Sequence, residues 1–206
     1  MESFIKFQKL IQKEVKLQIK YKDESNFMVL LYFFVHYFNP HFMKYYSTTI
    51  GSHIYFPSRD FVKQDEQRAM RILAHELVHV LDAQKYGLLS FMLAYLFPQV
   101  LVIGILSFPW LGLYALFFLI FLLPLPAPFR FYFESRAYTI DKLLKPHTNV
   151  EDYVDCFTSW DYYKMYPFPE KVIEKLNYWV ALVELEGDEV LGKVLELHEE
   201  AKKSDV

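Results

Sequence analysis

Hydrophobic positions are distributed unevenly along the chain, and the most uneven stretch carries no charge at all. From residue 86 to residue 129 the sequence holds mainly Leu, Phe, Ile, Val and Ala, with scattered Pro and Gly. Because about twenty apolar residues cross a bilayer, this stretch is long enough for two crossings. Phe108-Pro109-Trp110 marks a turn, so we predict an apolar hairpin with helices near 88–107 and 110–124. A re-entrant or monolayer hairpin, a buried core and an oligomer interface are the alternatives.

Amphipathic helices are predicted on both sides of this stretch. Residues 65–86 repeat apolar side chains at helical period, begin at Asp65 and Glu66, and end before Gly87. A second helix follows Pro128 and runs at helical period through Leu144. Pro146 then prevents its continuation.

The remaining segments predict a mainly α fold with a small β-sheet. The predicted elements are an amphipathic start at 4–15, a strand at 15–21, an aromatic-rich buried or membrane-lying helix within 27–46, a strand at 47–57, and helices at 170–185 and 188–201. We therefore expect one domain over 1–206, with the apolar hairpin inserted at 88–129 and a helical cover at 150–206.

Candidate chemistry lies on the helix that precedes the apolar stretch. His75-Glu76-Leu77-Val78-His79 is an H-E-x-x-H sequence, which places two imidazoles one turn apart, about 5–6 Å between Cβ atoms. Such a pair can converge on one tetrahedral zinc ion, and Glu76 can accept the proton of an attacking water. The alternative is that His75 and His79 are core histidines beside a surface glutamate.

A third ligand is expected downstream of the two histidines. Lys85 occupies the position where a metzincin has its third histidine, so we look to the helix after Pro128. Its Glu134 is the predicted third ligand, with water in the fourth position. A surface ion pair between Glu134 and Arg130, one turn earlier, is the alternative.

These residues resemble the gluzincins, the thermolysin-like zinc peptidases with H-E-x-x-H and a downstream Glu on a second helix. The helical layout over residues 65–145 is similar to the membrane-embedded peptidases of the CAAX-prenyl-protease and HtpX type. The resemblance implies an α+β zincin-like core, one Zn²⁺ per chain and a strand whose edge binds extended substrate. Many gluzincins have an acid one turn after the Glu, where this chain has Tyr138. Asp82 or Asp141 is the expected substitute for orienting a ligand histidine.

Hydrolysis of a peptide bond also requires a donor to the developing oxyanion. Aromatic hydroxyls and one guanidinium lie near the predicted ligands in the sequence. We place Tyr138 in the predicted catalytic set with Glu76, and the other candidates are Tyr162, Tyr163 and Arg136.

Charge and composition limit the partners and the compartment. A net charge of −3 argues against nucleic-acid binding. The single cysteine, Cys156, forms no internal disulfide, which agrees with a reducing compartment. Basic residues flank the apolar stretch at Lys85, Arg130, Arg136, Lys142 and Lys145, so the catalytic part is expected on the cytoplasmic face.

The sequence thus predicts a membrane-associated zinc peptidase that acts on a peptide or protein substrate. A non-catalytic membrane protein with a structural or vestigial metal site is the first alternative. A soluble protein that binds a lipophilic ligand with the 88–129 segment is the second. The oligomeric state is left open.

Overall fold

Helices dominate the structure, a computed structural model that describes residues 2–37, 39–160 and 163–203. The α-helices and strands are α1 (Glu2–Glu14), β1 (Gln18–Tyr21), α2 (Asn26–Val35), β2 (Thr48–Ile50), β3 (His53–Phe56), α3 (Arg59–Gln64), α4 (Glu66–Tyr86), α5 (Leu88–Leu96), α6 (Phe108–Leu111), α7 (Pro128–Leu144), α8 (Asp155–Thr158), α9 (Pro169–Glu184) and α10 (Glu189–Lys202). Three 3₁₀ segments, Gln99–Ser107, Gly112–Leu122 and Val150–Tyr153, complete the set. The predicted class, mainly α with a small β-sheet, is confirmed.

Contacts between residues group the chain into two compact units. The first contains 1–81 and 182–206, and the second contains 82–181. The expectation of a single domain stays a prediction. The segment predicted as a helical cover contributes to both, since α10 belongs to the first unit and most of α9 to the second.

A three-stranded sheet organises the first unit. Its strand order is β1-β3-β2, with β1 parallel and β2 antiparallel to β3. The sequence predicts one strand over 47–57, whereas the structure divides this segment into a hairpin. Ile50 pairs with His53 across a two-residue loop, and Gly51 has a φ of +59°. A Gly with positive φ at the first loop position suits a type II′ turn, which is why the strand reverses there.

The two terminal helices of the first unit pack together. One side of α1 buries Phe4, Phe7 and Ile11. Phe7 meets His198 of α10 edge-on, with 5.4 Å between ring centroids. Each fully buried large apolar side chain contributes about 1.5–3 kcal/mol, so this contact stabilises the unit substantially.

Helix α4 forms as its sequence predicts. The carboxylate of Asp65 accepts a hydrogen bond of 2.8 Å from the Arg68 amide, which caps the first turn. Gly87 follows the last turn with a φ of +84°, a conformation that favours glycine and ends the helix. Leu73 and Leu77 are fully buried, so α4 is a rigid support.

In the second unit, α7 lies against the aromatic segment that follows it. A buried cluster contains Ala127, Phe131, Phe157, Met165, Val172 and Leu176. Trp179 of α9 donates from Nε1 to the Ser135 hydroxyl over 3.0 Å. These contacts fix both faces of α7, which spans Pro128–Leu144 as the sequence predicts.

By length and composition, one helical segment among the described residues, Gln99–Leu122, can cross a membrane; its most apolar window has mean hydropathy 2.2 and is 6% buried. The chain nevertheless reverses within it. Gly104 lies directly against the Phe118 ring, fourteen residues further on, and Gly112 has a φ of +53°. The turn at Phe108–Leu111 agrees with the predicted hairpin. The two 3₁₀ arms, of 9 and 11 residues, measure about 18 and 22 Å at a rise of about 2.0 Å per residue. Both are shorter than a hydrocarbon core of about 30 Å.

The aromatic-rich helix α2 exposes much of its apolar surface. Met28 is fully buried, while Phe27, Leu30 and Phe34 are each more than half exposed. The helix therefore leaves a hydrophobic face open in the first unit, and its predicted place along a membrane stays a prediction.

Candidate metal centre

Both predicted histidine ligands lie on α4, one turn apart. The His75 and His79 ring centroids are 5.2 Å apart, with His75 half-buried and His79 buried. Their neighbours Ala74 and Val78 are fully buried, so the backbone beneath the imidazoles is held by packing. This arrangement leaves the two rings to approach a common ion from one side.

Glu76, the predicted general base, is bound by two hydroxyls from the β2 region. Ser47 Oγ donates to one carboxylate oxygen, and Thr49 Oγ1 donates to the other over 2.6 Å. The carboxylate is 8% exposed, so these donors replace much of its contact with water. The edge strand of the sheet therefore fixes the direction of the carboxylate. Neither hydroxyl was predicted, although Gly51 is a turn signal that places Thr49 on a short edge strand directly after Ser47.

A buried lysine in the first unit interacts electrostatically with Glu76. Lys22 follows β1, is fully buried, and donates from Nζ to the Phe42 carbonyl over 2.8 Å. Its ammonium lies 3.6 Å from the Phe42 ring centroid. Burial lowers the pKa of Lys22 to about 7, and attraction to the Glu76 carboxylate opposes this shift. Sequence spacing carries no signal for this residue.

Glu134, the predicted third ligand, is held within the second unit. It lies on the buried part of α7 and is 8% exposed. The Tyr95 hydroxyl of α5 donates to Glu134 Oε1. Arg130 lies over the Tyr95 ring, 5.2 Å from its centroid, and its charge interacts with Glu134. The carboxylate is therefore part of a buried polar cluster, not a surface ion pair.

Asp82 forms a hydrogen-bonded ion pair with Arg136, two residues after Glu134. Arg136 Nη1 donates to Asp82 Oδ1, and both side chains are buried. The guanidinium also lies 5.4 Å from the Trp179 ring centroid, so the pair joins the end of α4 to α7 and α9. Asp82 has a strong partner in Arg136, while its predicted support of a ligand histidine stays a prediction. Asp141, the other predicted acid, is half-buried.

The predicted oxyanion donors have different surroundings. The Tyr138 ring packs edge-on against Phe157, with 5.2 Å between centroids, beside the buried cluster of the second unit. Arg136 is engaged by Asp82. Tyr163 adopts a positive φ of 57°, and Tyr162 lies outside the described residues. The role of Tyr138 stays a prediction.

The three predicted ligands form one group. The candidate ligand atoms of His75, His79 and Glu134 all lie within 4.8 Å of one another. Two imidazoles and a carboxylate are a donor set that suits zinc, and the residues therefore fit this metal.

A family model matches residues 43–87. This segment matches the family model described as the eCIS core domain. It corresponds to 45 of 206 residues and includes β2, β3, α3 and α4 with both histidines. Searches of curated proteins and of solved structures found no significant match. The comparisons and the geometry together give a short family match and a group of two histidines and one glutamate that could hold a metal ion.

Proposed function

We propose that this chain is a membrane-associated zinc-dependent peptidase of the gluzincin type. The observation that carries the proposal is the grouping of His75, His79 and Glu134, with Glu76 on the same helix as the two histidines. Together these residues provide three ligands and a base. The substrate class is a peptide or protein, because hydrolysis at such a site acts on an amide carbonyl.

Each residue has a definite task in this proposal. His75, His79 and Glu134 would hold a zinc ion, which would supply Lewis-acid polarisation of a water molecule. Glu76 would accept the proton of an attacking water and deliver it to the nitrogen of the leaving peptide. The hydroxyls of Ser47 and Thr49 hold the Glu76 carboxylate in one orientation throughout. This constraint supports the base role, since the acceptor then needs no reorganisation as the proton moves.

The exposed apolar segment supports the membrane part of the proposal. Only 6% of the most apolar window of Gln99–Leu122 is buried, which is unfavourable in water. Because each arm of the fold-back is short, we favour a re-entrant hairpin over two full crossings. Lys85, Lys142 and Lys145 flank it and favour a cytoplasmic catalytic part, whereas Arg136 carries no such weight because Asp82 pairs with it.

One observation favours the alternative, a non-catalytic membrane protein with a structural or vestigial metal site. Both oxygens of Glu76 already accept hydrogen bonds from Ser47 and Thr49. A purely structural polar cluster would contain the same bonds. An ionised carboxylate has about four acceptor positions, so room for a water proton remains and we retain the peptidase proposal.

Metal content and hydrolysis of one substrate distinguish the two proposals. Purified protein in detergent is compared with His75→Ala, Glu134→Ala and Glu76→Gln, using fluorescein-labelled casein as substrate. We expect about one zinc per chain in the wild type and in Glu76→Gln, and loss of zinc in the two ligand variants. Glu76→Gln should lower the hydrolysis rate by about 10²- to 10⁴-fold, because general-base catalysis contributes that much.

The exposed residues His147 and Glu170 give matched controls, as His147→Ala and Glu170→Gln. Both should retain zinc and activity. Zinc bound without casein hydrolysis favours the structural metal site, and hydrolysis that survives Glu76→Gln contradicts the proposed mechanism. A wild type that binds no zinc contradicts the peptidase proposal and favours the non-catalytic membrane protein.

A further inference from the structure

Tyr95 connects the apolar segment to the site. It lies on α5, which contains no charged residue and exposes Leu89, Met92 and Leu93 on its outer side. Phe91, one turn before Tyr95, packs against Phe133 of α7 with 4.7 Å between ring centroids. The inner side of α5 therefore lies on α7, and Tyr95 belongs to that side.

The Tyr95 hydroxyl donates to Glu134 Oε1, inside the second unit. A donor on one carboxylate oxygen limits the rotation of the carboxyl group. The phenol is neutral, so it orients Glu134 without cancelling the negative charge that attracts a cation. Arg130 stacks on the Tyr95 ring and restrains it further.

We propose that Tyr95 is a positioning residue of the metal centre, fixing the direction of the Glu134 carboxylate through this hydrogen bond. Through this bond, metal binding depends on the packing of the apolar α5 against α7. The inference rests on the proposed zinc site and adds a residue from outside the H-E-x-x-H helix. A carboxylate held in its binding orientation loses less conformational entropy when it coordinates, so the hydroxyl should raise metal affinity.

Removal of this single hydroxyl tests the inference. Zn²⁺ affinity is measured for wild type and Tyr95→Phe in detergent by competition with a fluorescent chelator. We expect affinity to fall by about 10- to 100-fold, the usual effect of losing a residue that orients a metal ligand. Tyr114→Phe is the matched control, because Tyr114 lies in the same apolar segment and is 85% exposed. It should bind zinc as the wild type does.

A double-mutant cycle separates positioning from a general effect on the fold. In a Glu134→Gln background the same Tyr95→Phe change should alter zinc affinity by less than about twofold, because the hydroxyl acts through the Glu134 carboxylate. An undiminished effect in that background overturns the inference. So does a Tyr95→Phe protein that loses helical circular dichroism before metal is added, since a positioning group leaves the metal-free fold intact.

The outcomes also distinguish this inference from the proposed function. Zinc binding by the wild type that is unchanged in Tyr95→Phe overturns the role of Tyr95 alone. If the wild type and His75→Ala bind Zn²⁺ equally weakly, the proposed zinc site is wrong. The inference about Tyr95 is then wrong as well.

Discussion

The two glutamates of the candidate site are held in opposite ways. The Glu76 carboxylate accepts hydrogen bonds from the aliphatic hydroxyls of Ser47 and Thr49 in the β2 region. The Glu134 carboxylate accepts a hydrogen bond from the phenol of Tyr95, on the uncharged helix α5. The cation near Glu76 is a buried lysine, and the cation near Glu134 is an arginine stacked on that phenol. A base must accept and release a proton, whereas a ligand must keep its charge and direction. In the proposed peptidase, these different surroundings suit Glu76 to the base role and Glu134 to the ligand role.

The largest expected effect concerns the helix that carries Glu134. Arg136→Met leaves the Asp82 carboxylate buried without its partner, which should cost about 3–5 kcal/mol of unfolding free energy. Urea unfolding in detergent, followed by circular dichroism, measures it. Arg59→Met is the control, because Arg59 pairs with Glu24 at the surface and should have only a small effect. Equal losses in the two variants would show that the buried pair does not stabilise the second unit.

A second prediction concerns the cation beside Glu76. The folded pKa of Lys22 is about 7 and its unfolded value is 10.5, so the unfolded chain binds more protons between these values. Stability should therefore rise as the pH increases from about 7 to 10, by an amount on the order of a few kcal/mol. Below about pH 7, Lys22 is protonated in both the folded and the unfolded chain, and the loss of folding stability caused by burying its charge is then complete.

Lys22→Met should flatten this pH profile, measured by urea unfolding between pH 6 and pH 10. Lys44→Met is the matched control, because Lys44 is exposed, and it should keep the wild-type slope. A wild-type stability that is constant across the range would contradict the burial of a titrating ammonium beside Glu76.

The smallest effect is expected from the hydroxyls that hold Glu76. Thr49→Val keeps the shape of the side chain and removes one hydrogen bond to a carboxylate, worth about 1.5–3 kcal/mol. We expect casein hydrolysis to fall by about tenfold while zinc content is unchanged, since Thr49 contacts the base and not the ligand group. Thr49→Ser retains the hydroxyl and should restore most of the rate. Loss of zinc in Thr49→Val would mean that the two glutamates do not act separately.

The sequence predicted the helices of the site well because their signals are local. Asp65 and Gly87 limit α4 by capping, and Pro128 and Pro146 lie at the ends of α7. The ligand group follows from the H-E-x-x-H spacing and one downstream glutamate, so His75, His79 and Glu134 could be predicted together.

The residues that surround the ligands could not be predicted in the same way. Tyr95 reaches Glu134 across 39 positions of the chain, and Arg136 reaches Asp82 across 54. Such contacts depend on how α5 and α7 pack, which no local period encodes. The hairpin at Gly51 is different, since a Gly-Ser pair between two short strand-like runs is a recognised turn signal that the prediction of a single strand overlooked.

A hydrogen bond between the two ends of the apolar segment separates its turn from the candidate site. Gln99 donates from its side-chain amide to the Leu125 carbonyl over 3.1 Å, which closes the segment across 26 positions. The residues beyond that bond, including the turn at Phe108–Leu111, form a separate small loop. Because doubling a loop costs only about 0.6 kcal/mol of closure entropy, insertions or deletions at this turn should be tolerated without disturbing Tyr95 or Glu134. In the proposed membrane-associated peptidase, the length of the segment could then change to match lipid layers of different thickness while the geometry of the site stays constant.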